Sequence, residues 1–208
     1  MKIKTAVSAL AMSLILIMTG CSGESVTFAR GKYDTSAKKY TSETFGISAA
    51  FDDNWEVYGD SELATVSGMK GSSNDEDFIS ALESNGYVFD FYAVNKDAES
   101  GTSINITIDN LKKSGNSLFS EETLAKAAIE QIKEQFEGQG AKMDKANKTT
   151  TTFAGTERHS ADYKVTANGV SVFEKQIFIK KGGYLCTVTL ASLSETTIKE
   201  LADMFSAV

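Results

Sequence analysis

The sequence predicts an α+β fold in which helices pack on the faces of an antiparallel sheet. The predicted elements run in the order two strands, a helix, two strands, a long helix, three or four strands and a final helix. Strands grouped between helices favour an antiparallel sheet, because a parallel sheet requires alternation of strands and helices. The dipeptide Asn168-Gly169 lies between two strand-like segments and is a strong indication of a β-hairpin.

The first half of the chain supplies four strands and one short helix. The alternation typical of a half-buried strand is carried by Phe45, Ile47, Ala49 and Phe51. Residues 55–58 read as a continuation of that strand or as its hairpin partner. A helix covers Glu76 to Ser84 and ends at Asn85-Gly86. Two strands rich in β-branched and aromatic residues follow, over Tyr87 to Asn95 and Ser103 to Asn110.

A long helix opens the second half of the chain. Ser120 is its predicted N-cap, and Glu121 and Glu122 occupy the first turn, where the helix dipole favours acids. Gly138 and Gly140 end the helix. A single apolar stripe that faces the core is formed by Leu124, Ala128, Ile132 and Phe136.

A hairpin and a final strand–helix pair complete the fold. A run of strands is expected from Lys148, where residues 148–153 lead to Gly155. Strands over residues 157–167 and 170–180 follow, joined at Asn168-Gly169. A two-residue turn places Asp162 opposite Lys175 and Val165 opposite Val172, and both cross-strand pairs are favourable. Residues 181–183 form the next turn, before a strand over residues 184–190. Ser194 caps a helix whose buried face carries Ile198, Leu201, Ala202 and Phe205.

Charge and composition exclude one class of partner. The chain has 208 residues, 41% of them hydrophobic and 24% charged, which is ordinary for a globular protein. The first twenty residues carry Lys2 and Lys4 and no acids, so the remainder has 19 basic and 28 acidic residues and a formal charge of −9. Affinity for nucleic acid depends largely on neutralising phosphates. The net charge therefore argues against nucleic-acid binding and against general attraction to anionic lipids.

The N-terminus has the pattern of a secretory signal peptide. Two lysines precede an apolar segment, Ala6 to Met18, that is too short to span a bilayer. The following Met18-Thr19-Gly20-Cys21 resembles a bacterial lipobox, although the first position is usually leucine. The resemblance implies cleavage before Cys21 and a diacylglyceryl group on its thiol, which anchors the protein in the membrane. The alternative is a disulfide between Cys21 and Cys186.

These features divide the chain into three parts. Residues 1–20 are the predicted signal peptide, and residues 40–208 form one α+β domain. Between them, residues 21–39 contain the lipidated N-terminus and a segment rich in polar and small residues. This segment lacks an apolar pattern and is expected to be a flexible spacer that holds the domain away from the membrane.

The segment from Tyr40 to Val57 resembles the start of the PsbP-like domain found in many bacterial lipoproteins. Phe45-Gly46-Ile47 and Asn54-Trp55 match that family's pattern, whereas Asp52 stands where a proline is usual. The closing segment, residues 182–192 before the last helix, is similar as well. The resemblance implies an α-β-α sandwich around an antiparallel sheet. It implies no catalytic residues, because the family has no shared active site and its known members act as binding or assembly modules.

Few residues could support catalysis or metal binding. His159 is the sole histidine, so sites built from several histidines are excluded. His159 and Ser160 point to opposite faces of a strand and cannot form a triad together, so His159 is expected to be partly buried. Cys186 is expected to be a buried small hydrophobe. The acidic segment Asn74 to Asp77 reads as a solvated helix start, with a weak calcium site as the alternative.

The sequence therefore predicts a lipid-anchored protein at the bacterial cell membrane that faces away from the cytoplasm. Its predicted role is a non-catalytic binding or assembly module for an unidentified cell-envelope protein, without cofactor or metal. Two alternatives stay open. One is a cell-surface glycan hydrolase that uses two carboxylates, and the other is a lipoprotein that binds a small ligand.

Overall fold

The computed structural model describes residues 27–67, 74–97, 99–138 and 141–208. The predicted signal peptide, the lipobox and Cys21 lie outside these ranges, so their interpretation stays a prediction. Among the described residues, no helix combines the length and the apolar composition that crossing a membrane requires.

The described strands, numbered in chain order, form two antiparallel sheets. They are β1 (Lys32–Asp34), β2 (Lys39–Ser42), β3 (Ile47–Ala50), β4 (Trp55–Val57), β5 (Tyr87–Asn95), β6 (Ser103–Asn110), β7 (Lys142–Phe153), β8 (Thr156–Ala167), β9 (Val170–Lys181), β10 (Tyr184–Ser192) and β11 (Phe205–Ala207). The large sheet has the order β4-β5-β6-β10-β9-β8-β7, and the small sheet has the order β1-β2-β3-β11.

Helices cover both faces of the large sheet. They are α1 (Asp60–Val66), α2 (Asp75–Asn85), α3 (Leu111–Ser114), α4 (Glu121–Gly138) and α5 (Glu195–Asp203). On one face, the buried residues of α2, α5 and the small sheet share a core with Ile104, Ile106 and Val188. On the other face, α4 packs against Ala161, Phe178 and Leu185. The chain is thus an α+β sandwich with an antiparallel sheet in the centre, as the sequence predicted.

Local sequence determines several of these elements as expected. The side chain of Asn74 accepts a hydrogen bond from the Asp77 N–H at 3.0 Å, and Gly86 ends α2 with a positive φ of 88°. Along α4, the predicted stripe at Leu124, Ala128, Ile132 and Phe136 is buried. The hairpin has the predicted register, because Asp162 pairs with Lys175 and Val165 with Val172.

The prediction for residues 55–58 is wrong. β4 neither continues β3 nor pairs with it, but joins the edge of the large sheet by pairing with β5, with Trp55 opposite Asn95. A turn at Asp52 redirects the chain, since the Asp52 carboxylate accepts the Asn54 N–H at 2.9 Å. The chain therefore crosses from the small sheet to the large one at this point.

The predicted spacer is too long, because residues 27–39 belong to the folded domain. β1 pairs with β2, and the Phe28 ring packs 5.1 Å from the Tyr184 ring. The Arg30 side chain is only 6% exposed, and its guanidinium contacts the Asp60 carboxylate at 2.5 Å. The segment escaped prediction because single side chains, and not an apolar period, hold it in place.

Smaller differences concern element boundaries and types. β7 starts at Lys142, earlier than the predicted Lys148, and Phe205 lies in β11 beyond the final helix. Ile79, on α2, is 39% exposed although it is apolar. The short helices α1 and α3 were not predicted.

Candidate functional site

The residues that could have formed a nucleophilic site lie apart. Cys186 packs in the core on the α5 side of the sheet, whereas His159 lies on the strand face that carries Ala161 and packs against α4. Burial raises the pKa of the Cys186 thiol far above its ordinary value, and the Asp90 and Asp109 carboxyls add to the rise. Cys186 is thus a free, buried thiol, and His159 is half-buried on the opposite face of the sheet.

The acidic segment at the start of α2 performs a local structural role. Asn74 caps the helix, and Asp75 contacts Arg30 at 3.5 Å across the molecule. Among the described residues, no group of three or more histidine, cysteine, aspartate or glutamate side chains is arranged to hold a metal ion.

Asp90 is a fully buried carboxylate that fastens the N-terminal segment. It accepts hydrogen bonds from Tyr40 Oη at 2.6 Å and from the Gly31 N–H at 3.1 Å, and Arg30 Nε lies 3.9 Å away. Burial raises the pKa of Asp90, whereas the hydrogen bonds from Tyr40 and Gly31 and the nearby positive charge of Arg30 oppose that rise. Among the described residues, these partners lie on the N-terminal segment and on β2, so Asp90 fastens both to the large sheet.

Glu174 and Asp109 are further buried carboxyls, on the α4 side of the sheet. Burial raises the pKa of Glu174 to about 8, although a 2.7 Å hydrogen bond from Tyr163 Oη opposes the rise. Burial raises the pKa of Asp109 to about 7. Both groups are therefore largely protonated in the lower part of the neutral range.

These two carboxyls do not form a hydrolase pair. Glu174 is aligned with Ala191 and Ser103 across the sheet, and Asp109 lies six residues along β6 from Ser103. At about 3.4 Å per residue along a strand, the two carboxyls are roughly 20 Å apart. Glycosidases hold their two carboxyls about 5–9.5 Å apart.

A groove between α5 and the outer strands is the candidate binding site. It has a volume of about 430 Å³ and lies between one face of α5 and the face of β7, β8 and β9 that carries Asp162 and Lys175. We call it the α5 groove. Its floor is apolar and is formed by Phe173, Ile198 and Ala202.

Charged side chains that line the α5 groove connect to hydroxyl groups on the same face of the sheet. Lys175 Nζ donates to Asp162 Oδ1 at 2.6 Å, and Thr149 Oγ1 donates to Asp162 Oδ2 at 3.3 Å. The hydroxyl groups of Thr149 and Ser160 lie 2.8 Å apart. Lys164 Nζ stands 5.7 Å from the centre of the Phe173 ring. Asp162, Lys175 and Lys164 each already contact another side chain, and this arrangement suits recognition better than proton transfer.

An ion pair bridges the two walls of the α5 groove. Lys145 Nζ on β7 lies 3.4 Å from Glu195 Oε1 at the start of α5, and both side chains are largely exposed. Exposed ion pairs contribute about 0–1 kcal/mol, so this contact opens at little cost. Lys199 and Asp203 also line the groove and present one charge of each sign. The site can therefore accept an apolar group while the rim offers partners to either charge.

Sequence reasoning identified parts of the α5 groove without joining them. The pair Asp162–Lys175 follows from the hairpin register, and Ile198 and Ala202 follow from the helical stripe. What the sequence lacks is a signal that α5 packs beside Phe173, since that contact is made only in the tertiary structure.

Comparisons with known proteins give matches only among solved structures. No protein-family model matches the chain, and no curated protein matches it. Cyanobacterial PsbP (CyanoP) from Synechocystis is similar, with 16% identity and a TM-score of 0.47 over 90% of this chain and 98% of that one. LpqN, involved in cell envelope biogenesis of Mycobacterium tuberculosis, has 10% identity and a TM-score of 0.38, over 77% and 82% of the two chains.

A third similar structure comes from Bacteroides thetaiotaomicron. It has 13% identity and a TM-score of 0.38, and the match covers 83% of this chain and 48% of that one. At likenesses of this size, the function has to be argued from the site itself.

Proposed function

We propose that this protein is a non-catalytic binding module that a diacylglyceryl group on Cys21 holds at the outer side of the bacterial cell membrane. The proposed partner is a cell-envelope protein, which the module recognises through the α5 groove. The observation that carries the binding role is the apolar floor at Phe173, Ile198 and Ala202 below a rim of charges of both signs.

The composition of the α5 groove favours a polypeptide partner. A volume of about 430 Å³ lies at the small end of the range for ligand sites and accommodates one or two side chains. The charges above the floor have both signs, as Lys145, Lys199, Glu195 and Asp203 illustrate. A polypeptide presents apolar side chains and charges of both signs together, and complementary charges add specificity and speed to such encounters.

Photocrosslinking in the native host tests the binding role. A photoreactive amino acid replaces Lys199 in the groove or, as the control, Lys133 on the exposed side of α4. We expect one discrete protein adduct from position 199 and none from position 133. Equal adducts at both positions, or adducts at neither, would count against the α5 groove as the binding site.

A binding measurement with the crosslinked partner then tests specificity. Lys199→Glu and Lys133→Glu make the same charge change on two exposed helix positions. We expect the first to weaken binding roughly tenfold, equivalent to about 1.4 kcal/mol, and the second to leave it unchanged. If native mass spectrometry instead finds a small molecule bound and no protein adduct forms, the small-ligand alternative replaces this proposal.

The tether and the absence of catalysis are tested separately. Cys21→Ser should move the protein from the membrane fraction to the soluble extracytoplasmic fraction, and mass analysis of the native protein should show acyl chains on Cys21. Retention of Cys21→Ser in the membrane would contradict the tether. Turnover of cell-wall glycan by the purified protein would contradict the non-catalytic role and favour the two-carboxylate hydrolase.

A further inference from the structure

The point where the described chain begins limits how the domain can sit at a membrane. Phe28 packs on Tyr184, the first residue of β10, which is aligned with the last residues of β6 and β9. The N-terminal segment therefore leaves the domain at the end of the sheet that carries the β9–β10 turn. We call this the turn end.

The chain between the proposed anchor and the domain is short. Five residues lie between Cys21 and Thr27, so the six steps from one Cα to the next span about 20 Å at most when extended. Nine residues of β10 extend over about 30 Å, from the turn end to the far end at Ser192. A tether of this length cannot pass around the domain, so the turn end is the part that stays nearest the lipid.

The turn end carries lysines that are exposed. Lys112 and Lys113 belong to α3, and Lys181 is the last residue of β9. The Lys112 stem lies against Gly183 in the β9–β10 turn, since a Cβ added to that glycine would stand 3.1 Å from Lys112 Cε. None of the three lysines has an ion-pair partner among the described residues. Glu83, near Tyr184, is an exposed acid at the same end.

An exposed apolar side chain projects beside these lysines. Leu118 is 77% exposed in the loop between α3 and α4. On either side of Leu118, the carbonyl oxygens of Ser117 and Phe119 accept hydrogen bonds from Lys180 Nζ, at 2.5 Å and 2.8 Å. The loop is thus pinned next to the β9–β10 turn and holds Leu118 outward.

We propose that the turn end is a membrane-docking surface, formed by Leu118 and by Lys112, Lys113 and Lys181, and that its partner is a bilayer with anionic headgroups. The inference rests on the proposed tether at Cys21. Leucine enters the interface while lysines contact anionic headgroups, which is how an acyl anchor gains a second attachment. Although the mature chain has a formal charge of −9, three exposed lysines lie together with Leu118 at the turn end.

Docking on this surface would orient the α5 groove relative to the bilayer. Phe173 and Lys175, which line the groove, are aligned with Ser192 and Leu190 near the far end of β10, so this part of the groove lies away from the turn end. A partner in the envelope could then reach the groove without displacing the domain from the membrane.

Spin labelling of the lipidated full-length mature protein tests the surface. Leu118→Cys and, as the control, Asp97→Cys at the far end each receive a nitroxide, because Cys21 is acylated and Cys186 is buried. The protein is reconstituted into vesicles that contain phosphatidylglycerol. We expect the label at position 118 to be several-fold more accessible to oxygen relative to a water-soluble nickel complex than the label at position 97. Equal accessibility at the two positions would overturn the docking surface.

Charge reversal separates docking from tethering. Lys112→Glu with Lys181→Glu should reduce the lipid contact of the label at position 118 to the level at position 97, while the protein stays on the vesicles. Lys39→Glu with Lys133→Glu changes the net charge equally and should leave the lipid contact unchanged. If the protein is acylated but the label at position 118 lies in water, the docking surface is overturned and the tether stands. A preparation without acyl chains on Cys21 would overturn the tether and the surface together.

Discussion

Glu174 offers a direct test of how burial controls stability in this fold. Its carboxyl is buried, one oxygen accepts a hydrogen bond from Tyr163, and the other, Oε2, has no hydrogen-bond partner among the described residues. Glu174→Gln replaces the protonated carboxyl by a neutral group of nearly the same shape and keeps an oxygen for Tyr163. The substitution therefore removes the titration while changing little else.

The sign and size of the effect follow from the pKa values. The pKa rises from 4.5 in the unfolded chain to about 8 in the folded protein, so the folded state holds a proton that the unfolded state has lost between these values. The free energy of unfolding of the wild type should then fall by about 1.4 kcal/mol per pH unit in that window. Relative to its value below pH 4.5, the free energy of unfolding of the wild type is lower by a total on the order of 5 kcal/mol above pH 8.

Urea unfolding followed by circular dichroism measures this difference. Wild type and Glu174→Gln, both in a Cys21→Ser background, are compared at single-unit steps from pH 4 to pH 9. Asp109 is present in both proteins, so its own titration cancels. We expect the glutamine variant to become the more stable of the two as pH rises, with the difference levelling off above pH 8. A difference that stays constant with pH would refute the assignment of a buried, protonated Glu174.

Further predictions concern the N-terminal segment and the free thiol. Gly31→Ala should destabilise the fold by about 2–4 kcal/mol in urea unfolding, because the added Cβ would overlap Asp90 Oδ2. Gly138→Ala, where a Cβ meets nothing within 4 Å, should be neutral or slightly stabilising. Tyr40→Phe should cost roughly 2 kcal/mol by removing a hydrogen bond to buried Asp90. Cys186 should react with a thiol reagent only after unfolding, and rapid reaction of the native protein would contradict its burial.

Elements with a clear period or a defined turn could be predicted from the sequence. The stripe of α4 and the Asn168-Gly169 hairpin depend on local spacing, so their positions and register agree with the structure. β7 differs because it is an edge strand with polar residues on both faces, and only its pairing with β8 defines it. Strand β4 likewise depends on a distant partner, β5.

The N-terminal segment and the site were harder to predict for the same reason. Arg30 lies in a segment without an apolar period, and its partners Asp60, Asp75 and Asp90 are distant along the chain. The α5 groove needs a helix from the end of the chain beside a strand from its middle. Local patterns report which face of an element is apolar but not which other element covers it.

The N-terminal contacts also have a consequence for the order of assembly. Residues 28–34 leave the ribosome early, yet Tyr184, which Phe28 contacts, is made near the end of synthesis. This segment must therefore wait for almost the whole chain before Phe28 can reach Tyr184 and complete its closure over Asp90. Until then, the Asp90 carboxylate, which is buried in the complete domain, stays hydrated. Residues 28–34 are therefore expected to dock last.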